Sequence, residues 1–267
     1  MNSPTRSEPA ASLEGTPAVS RDAFQRGAFE LLQPAGRGFR AGHDALLLAS
    51  CVGLGATGRV LDMGAGNGAV AFAAAMRSPD LRIDLAERNG EIAALAEGAL
   101  MLPANRGFAP RLRVLRLDCL APRGTREAAG LLDGAYDLVL TNPPFHPAGQ
   151  RGSPDALRDE ARAIPDAAFL GRWLAVAAAL LRHGGRLALI ARPDNLGDLL
   201  AAAEGRLGAL RVRAVHPSPE APANRILLGA IRGSRQPLRL LPPLVLDAML
   251  RAAVSDGLHH TGGILGD

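Results

Sequence analysis

The feature that most restricts the fold of this chain is the segment Val60-Leu61-Asp62-Met63-Gly64-Ala65-Gly66-Asn67-Gly68. A short apolar strand runs directly into glycines at alternate positions, and Ala69–Met76 continues with helical character. Glycine at a strand-to-helix turn lets the backbone adopt left-handed conformations and pass close beneath a ligand. The spacing is GxGxG, whereas the dinucleotide fingerprint is GxGxxG, in which the third glycine packs helix on strand. Such a turn calls for a parallel sheet around it.

The rest of the chain supplies that sheet. Asp44 is expected to cap an apolar helix, Ala45–Val52. Leu81–Leu85 reads as a strand, Glu91–Leu102 as a helix stopped by Pro103, Leu112–Leu117 as a strand, Arg126–Leu132 as a short helix and Tyr136–Leu140 as a strand. After a long polar loop, Pro165–Arg182 reads as an amphipathic helix ended by Gly184-Gly185. Arg186–Ala191, Leu196–Leu207 and Arg211–His216 follow as strand, helix and strand, and Arg225–Arg232 as a last strand. Short apolar strands separated by helices predict an α/β architecture, a seven-stranded, mostly parallel sheet covered on both faces. The last two strands are close enough for a C-terminal antiparallel hairpin, whose final strand would close one edge. Upstream, Asp22–Leu32 looks irregular to strand-like and Gln33–Arg40 is a turn-rich loop. The expected organisation is a flexible extension over residues 1–20, one domain over 21–247 and a tail over 248–267.

Composition narrows the classes further. Of 267 residues 48% are hydrophobic, enough for a large core and against global disorder. All 30 basic residues are arginine and the net charge is +4, compatible with a polyanionic partner. Cys51 and Cys119 have no CxxC spacing, so neither a disulfide framework nor a zinc site is expected, and no metal is implied. Met1–Ser20 contains no apolar core of a signal peptide, and Ala167–Leu181 is too short to span a bilayer. The expectation is a soluble, cytoplasmic protein with no membrane partner.

Two constellations carry chemistry. Carboxylates fall at or near the ends of three successive strands: Asp62 before the glycines, Glu87 after Leu81–Leu85, and Asp118 after Leu112–Leu117. Glu87 suits a pair of ribose hydroxyls, while Asp118 and a neighbouring backbone N–H suit an adenine edge, so together they outline a nucleoside pocket. The second constellation is Thr141-Asn142-Pro143-Pro144-Phe145, directly after the strand Tyr136–Leu140. The prolines fix φ and remove donors, leaving Asn142 Oδ1 and the Pro143 carbonyl as acceptors for the two N–H groups of a planar amine or amide. Phe145 offers a flat stacking surface. A base and a protein amide remain equally open on this pentapeptide alone.

The GxGxG turn resembles the S-adenosylmethionine loop of class I methyltransferases. Together, QPAGRGFRAGHDALLLAS (Gln33–Ser50), VLDMGAGNGAV, TNPPFHPAG and NRILLGAIRG are similar to the tRNA1(Val) adenine-37 N6-methyltransferase family, within the methyltransferase small-domain group, over Phe24 to about Leu246. The resemblance implies a Rossmann-like class I methyltransferase with S-adenosyl-L-methionine as cofactor and S-adenosyl-L-homocysteine as product. It implies cofactor contacts at Arg40, Asp44, Asp62, Gly64, Gly66, Gly68, Glu87, Asp118, Cys119 and Asn142, with Phe39, Arg40 and Asp44 closing the pocket from above. Catalysis falls to Asn142, Pro143, Pro144 and Phe145, and the implied reaction is methylation of adenine N6 next to the anticodon of a tRNA. His43 reads as a capping or packing residue. His146 extends a resemblance to guanine-N2 methyltransferases of ribosomal RNA, which usually carry a second, degenerate fold for which this chain has no room. Protein-glutamine methyltransferases share the tetrapeptide Asn142-Pro143-Pro144-Phe145 but usually bear an N-terminal helical domain.

An RNA partner, with a tRNA anticodon loop foremost, requires the target base to be unstacked or flipped out. Arg21, Arg26, Arg151, Arg158, Arg162, Arg225, Arg232, Arg235 and Arg239 are candidate phosphate contacts, and the long loop Pro147–Ala163 is a candidate clamp. The expected state is a monomer or weak homodimer.

Overall fold

The computed structural model describes residues 19–35, 42–144, 166–246 and 265, with the backbone of 146–147 and 163–164. β1 (Val19–Phe24) and β2 (Phe29–Pro34) form an antiparallel hairpin in register from Val19↔Pro34 to Phe24↔Phe29. The weak polar alternation there hid a strand pair. Its apolar side is buried through Phe29, which meets Phe72 edge-on, and Phe72 in turn meets Phe108.

The main sheet takes in β3 (Gly58–Met63), β4 (Leu81–Glu87), β5 (Leu112–Arg116), β6 (Tyr136–Thr141), β9 (Leu181–Ala191), β10 (Leu207–His216) and β11 (Arg225–Arg232). A two-residue pair, β7 (His146–Pro147) and β8 (Ala163–Ile164), stands apart. From one edge the order is β5-β4-β3-β6-β9-β11-β10, and the strands from β5 to β9 are parallel. The chain runs outward in one direction from β3 to β5 and in the other from β6, so a crevice opens between the carboxyl ends of β3 and β6.

The antiparallel strand does not close the edge. β11 inserts between β9 and β10, and the outer side of β10 is taken by two-residue strands β12 (Arg239–Leu240) and β13 (Leu244–Val245), making nine strands. Between two neighbours, β11 is buried from Ile226 to Ala230, so its continuous apolar run marks an interior strand.

Helices α1 (His43–Ala49), α2 (Ala69–Arg77) and α3 (Gly90–Leu100) cover one face with the β1–β2 hairpin. After the short α4 (Arg123–Ala128), helices α5 (Phe169–Leu180) and α6 (Leu196–Ala203) cover the other face. Leu265 returns to pack against Gly229 on the first face, where a Cβ would sit 2.9 Å from its Cδ1. Among the described residues, no helix is long and apolar enough to cross a membrane.

Three local expectations are corrected. Gly184-Gly185 does not end a helix. α5 stops at Leu180 where Leu181 turns extended, and Arg232 donates to the carbonyls of Ala179 and Leu181. The glycines lie inside β9, at the irregular register with β6, where a Cβ on Gly185 would press on the Arg182 and Tyr136 carbonyls at 2.8 and 3.0 Å. The helix expected over Arg126–Leu132 ends at Ala128, because Gly130, at φ +87°, leaves the helical region. Asp44 does not cap α1. The N-cap is Gly42, and Asp44, in the first turn, accepts from Arg225 Nε at 2.9 Å.

The amino edge of the sheet is tied by a buried carboxylate. Asp84 accepts from Arg59 (2.7 and 3.1 Å), from Arg113 (2.9 and 3.1 Å) and from Tyr136 Oη (2.7 Å). Burial alone would raise its pKa, but bonds from Arg113, Tyr136 and Arg59 hold it below the ordinary carboxylate range. Four strands, β3 to β6, are thereby fastened at the end opposite the crevice.

Candidate active site

At the crevice, β3 is buried from Val60 to Met63 and then breaks into the glycine turn. Gly64, Gly66 and Gly68 have φ of +75°, +56° and +89°, the left-handed region that disfavours any side chain. Their surroundings differ. A Cβ on Gly68 would lie 2.9 Å from Leu85 and 3.0 Å from Phe72, and one on Gly64 would touch the Trp173 ring at 3.2 Å. A Cβ on Gly66 would meet nothing within 4 Å. The turn is therefore packed beneath Gly64 and Gly68 and open above Gly66, a cradle that a ligand can enter.

The end of β4 holds the turn from one side. The Ala86 carbonyl accepts from the N–H groups of Gly64 (2.9 Å) and Ala65 (3.0 Å). Glu87 Oε2 accepts from Gly66 N at 2.9 Å and Oε1 from Asn89 N at 2.8 Å. Asn89 in turn caps α3 through Glu91 N and Ile92 N, so the carboxylate joins the glycine turn to a helix start. Each oxygen of a carboxylate has a second lone pair available to a hydroxyl donor.

The other carboxylates lie in contrasting settings. Asp118 is exposed, and its Oδ1 accepts from Leu120 N at 2.8 Å in a local turn. Cys119 is buried, and burial pushes the thiol up to about 12. Asp62 faces inward, buried, with Oδ2 accepting from Ala71 N in α2 at 3.0 Å. Burial drives its pKa up to about 7 against that bond, and nearby Glu87 adds to the rise. What Asp62 holds in this structure is the helix start behind the glycines. Arg40 and Phe39 lie outside the described residues, as does Phe145.

The opposite wall is the end of β6. Thr141 is buried and donates from Oγ1 to the Met63 carbonyl at 2.8 Å, across the terminal Met63↔Thr141 pair of β3 and β6. Trp173 Nε1 of α5 donates to the same hydroxyl at 3.0 Å. Asn142 follows with Pro143, which is buried, and Pro144, which is half-buried. Asn142 Oδ1 is buried and has no hydrogen-bond partner among the described residues. A buried acceptor left unpaired costs about 1–3 kcal/mol, so its presence at the mouth of the crevice marks a place for an N–H donor.

Two links to the crevice were not legible beforehand. Asn67 Nδ2 donates to the Leu32 carbonyl at 3.1 Å, binding the glycine turn to β2. Buried Asn105 donates to the carbonyls of Glu30 (2.8 Å) and Ala99 (2.6 Å) and accepts from Glu30 N (3.0 Å), seating the hairpin beside α3. Thr141 stood in the pentapeptide without a role, and Trp173 was missed, its status as the sole tryptophan being its one signal. Of the candidate phosphate contacts, Arg225 is engaged by Asp44, Arg232 by the end of α5 and Arg21 by Glu30. Arg26, Arg235 and Arg239 are exposed, while Arg151, Arg158 and Arg162 lie outside the described residues.

The family model described as methyltransferase small domain matches residues 42–203, which include the glycine turn, Glu87, Asp118 and the tetrapeptide. The chain belongs to the methyltransferase small-domain family. Among relatives of this methyltransferase, a protein of Porphyromonas gingivalis named tRNA1(Val) (adenine(37)-N6)-methyltransferase is 33% identical over 211 residues, covering 77% of this chain and 79% of its own length. A release factor glutamine methyltransferase of Mycolicibacterium smegmatis is 34% identical over 135 residues, 49% of this chain and 44% of its own. A crystal structure of a predicted O-methyltransferase, protein Atu636 of Agrobacterium tumefaciens, is 32% identical with a TM-score of 0.69, covering 82% of this chain and 98% of that one.

Proposed function

We propose that this methyltransferase transfers a methyl group from S-adenosylmethionine to N6 of an adenine in tRNA, at position 37 of tRNA(Val). The observation that carries this reading is the buried, unpartnered Asn142 Oδ1 directly after the end of β6, the strand paired with the one that runs into the open glycine turn. Gly64, Gly66 and Gly68 shape the cofactor cleft, Glu87 takes the ribose hydroxyls, and Asp118 with the backbone at Cys119 takes the adenine edge. Asp62 and Asp44 act from behind as supports, through Ala71 N and Arg225 respectively. Bound there, S-adenosylmethionine supplies an electrophilic methyl group and leaves as S-adenosylhomocysteine.

Asn142 Oδ1 and the Pro143 carbonyl accept the two N–H groups of the target amine, which turns the nitrogen lone pair toward the incoming methyl. Pro144 stiffens the turn and Phe145 stacks on the base. The extra proton leaves to water after transfer. Rate enhancement comes from orientation and from acceptors already placed before the reaction. The target base must be flipped out to reach this crevice, which suits an anticodon loop. Exposed Arg235 and Arg239, with Arg151, Arg158 and Arg162, are the candidate phosphate contacts in this reading, Arg40 closes over the cofactor, and the cytoplasm is where its substrate lies.

A protein-glutamine substrate offers the same planar NH2. The transfer-RNA reading is favoured by extent, because the relative bearing that name aligns over most of both chains, whereas the glutamine methyltransferase aligns over half of this one. The test is Asn142→Ala. It is expected to bind S-adenosylmethionine within about threefold of the parent while losing at least about 100-fold in turnover on unmodified tRNA. Full turnover in the variant would overturn the assignment.

A further inference from the structure

Trp173 belongs neither to the glycine turn nor to the tetrapeptide, yet it touches the chain leading into both. Its indole N–H donates to Thr141 Oγ1 at 3.0 Å, and that hydroxyl donates to the Met63 carbonyl at 2.8 Å. The direction is forced: an indole N–H can only donate and a backbone carbonyl can only accept, so the single hydroxyl proton must point to Met63. Thr141 is the residue before Asn142, and Met63 is the residue before Gly64. Met63↔Thr141 is also the last paired position of β3 and β6, after which the two strands part. On the same side, the ring itself lies under Gly64, where an added Cβ would be 3.2 Å from Cη2 and Cζ2. The ring is held in turn by Phe169, with centroids 5.3 Å apart.

We propose that Trp173, acting through Thr141, is a positioning residue that fixes the distance and orientation between the cofactor turn and Asn142. The proposal rests on the methyl-transfer reading above and adds the element that sets its geometry. The three links are buried, so the indole–hydroxyl–carbonyl chain works in a low-dielectric setting where hydrogen bonds hold their geometry. A displacement of about 1 Å between reacting groups can cost about 100-fold in rate, which is the lever such a fastening controls.

The test uses the full-length protein with Trp173→Phe, which keeps a ring under Gly64 but loses the N–H, and Thr141→Val, which keeps the shape but loses the hydroxyl. Each is expected to lower kcat at saturating cofactor at least about tenfold, with S-adenosylhomocysteine affinity by calorimetry changed less than about threefold. Because both variants break one chain, the double variant is expected to fall within about twofold of the worse single. Thr141→Ser is expected to restore most of the rate. A second readout needs no turnover. The protein has one tryptophan, so NMR shows one indole N–H signal. It is expected to resist solvent exchange, to move when S-adenosylhomocysteine binds, and to shift upfield in Thr141→Val.

Unchanged kcat in both single variants, fully additive losses, or an indole signal that exchanges freely and ignores Thr141→Val would overturn the proposal. Should the parent protein move no methyl onto tRNA, the functional reading fails, and the indole signal then decides this proposal by itself. Its response to S-adenosylhomocysteine and to Thr141→Val would support the proposal, and its silence would overturn it.

Discussion

Gly66 and Gly68 have similar backbone conformations but opposite surroundings, and an alanine at each separates fold from ligand. At Gly66, φ is +56° and a Cβ would meet nothing within 4 Å. The only cost to the fold is left-handed strain, about 1–2 kcal/mol. For a chain of this length that lowers Tm by roughly 2–4 °C per kcal/mol. At Gly68, with φ +89°, the Cβ would press on Leu85 at 2.9 Å and Phe72 at 3.0 Å. Overpacking of about 1–3 kcal/mol then adds to the strain. Gly68→Ala is therefore expected to be destabilised by about 2–5 kcal/mol, with Tm lowered by roughly 4–20 °C. For the ligand the order reverses. In the proposed reading the open space above Gly66 is the cofactor cleft, so Gly66→Ala is expected to weaken S-adenosylhomocysteine at least about tenfold, equivalent to about 1.4 kcal/mol. Differential scanning fluorimetry and isothermal titration calorimetry on both variants read the two effects separately. Parent-like affinity in a folded Gly66→Ala, or a Tm loss as large as that of Gly68→Ala, would refute the assignment of that space to the cofactor.

The buried carboxylates make opposing predictions. Asp84→Asn removes the negative charge that faces Arg59 and Arg113 and turns one of two acceptor oxygens into an NH2 donor; a fully buried pair broken in this way would cost about 3–5 kcal/mol, but Arg113 is half exposed, so the variant is expected to lose about 2–3 kcal/mol in urea unfolding. Because the Asp84 pKa lies below its ordinary value, its contribution is complete above pH ~4 and vanishes as pH falls, a slope that the Asn variant should lack. Asp62 works the other way. With its pKa raised to about 7, the folded state holds a proton that the unfolded chain releases above its ordinary value. Stability from this group therefore drops by about 1.4 kcal/mol per pH unit as pH rises from ~4 to ~7. Asp62→Asn can still accept from Ala71 N, so unfolding midpoints between pH 5 and pH 7 are expected to decline less in this variant than in the parent; an identical decline would contradict the buried, protonated state.

The sheet was legible because its strands are short apolar runs broken by helical periodicity, a pattern that parallel sheets with two covered faces require. β11 was read with its limits correct, yet its place between β9 and β10 was not, since sequence proximity shows that two strands pair and not which of them faces outward. Gly184-Gly185 misled for a related reason. Glycine signals a freed backbone, and here the freedom serves a close approach to the Tyr136 carbonyl within β9 rather than a helix stop. The glycine turn and the tetrapeptide stood out because close approach to a ligand admits few residue types. The contacts of Thr141, Trp173, Asn67 and Asn105 did not, since an ordinary hydroxyl, ring or amide becomes part of a site only through long-range contacts that no local pattern encodes. Asp44 looked like a cap by residue type, and its true partner, Arg225, lies 181 residues away.

The most direct measurement incubates the purified protein with methyl-labelled S-adenosylmethionine and tRNA lacking its native modifications, then digests the RNA to nucleosides. The account predicts label in N6-methyladenosine alone, in tRNA(Val), and none when Asn142 is replaced by alanine. Label found in another nucleoside, or in protein with the RNA untouched, would contradict it.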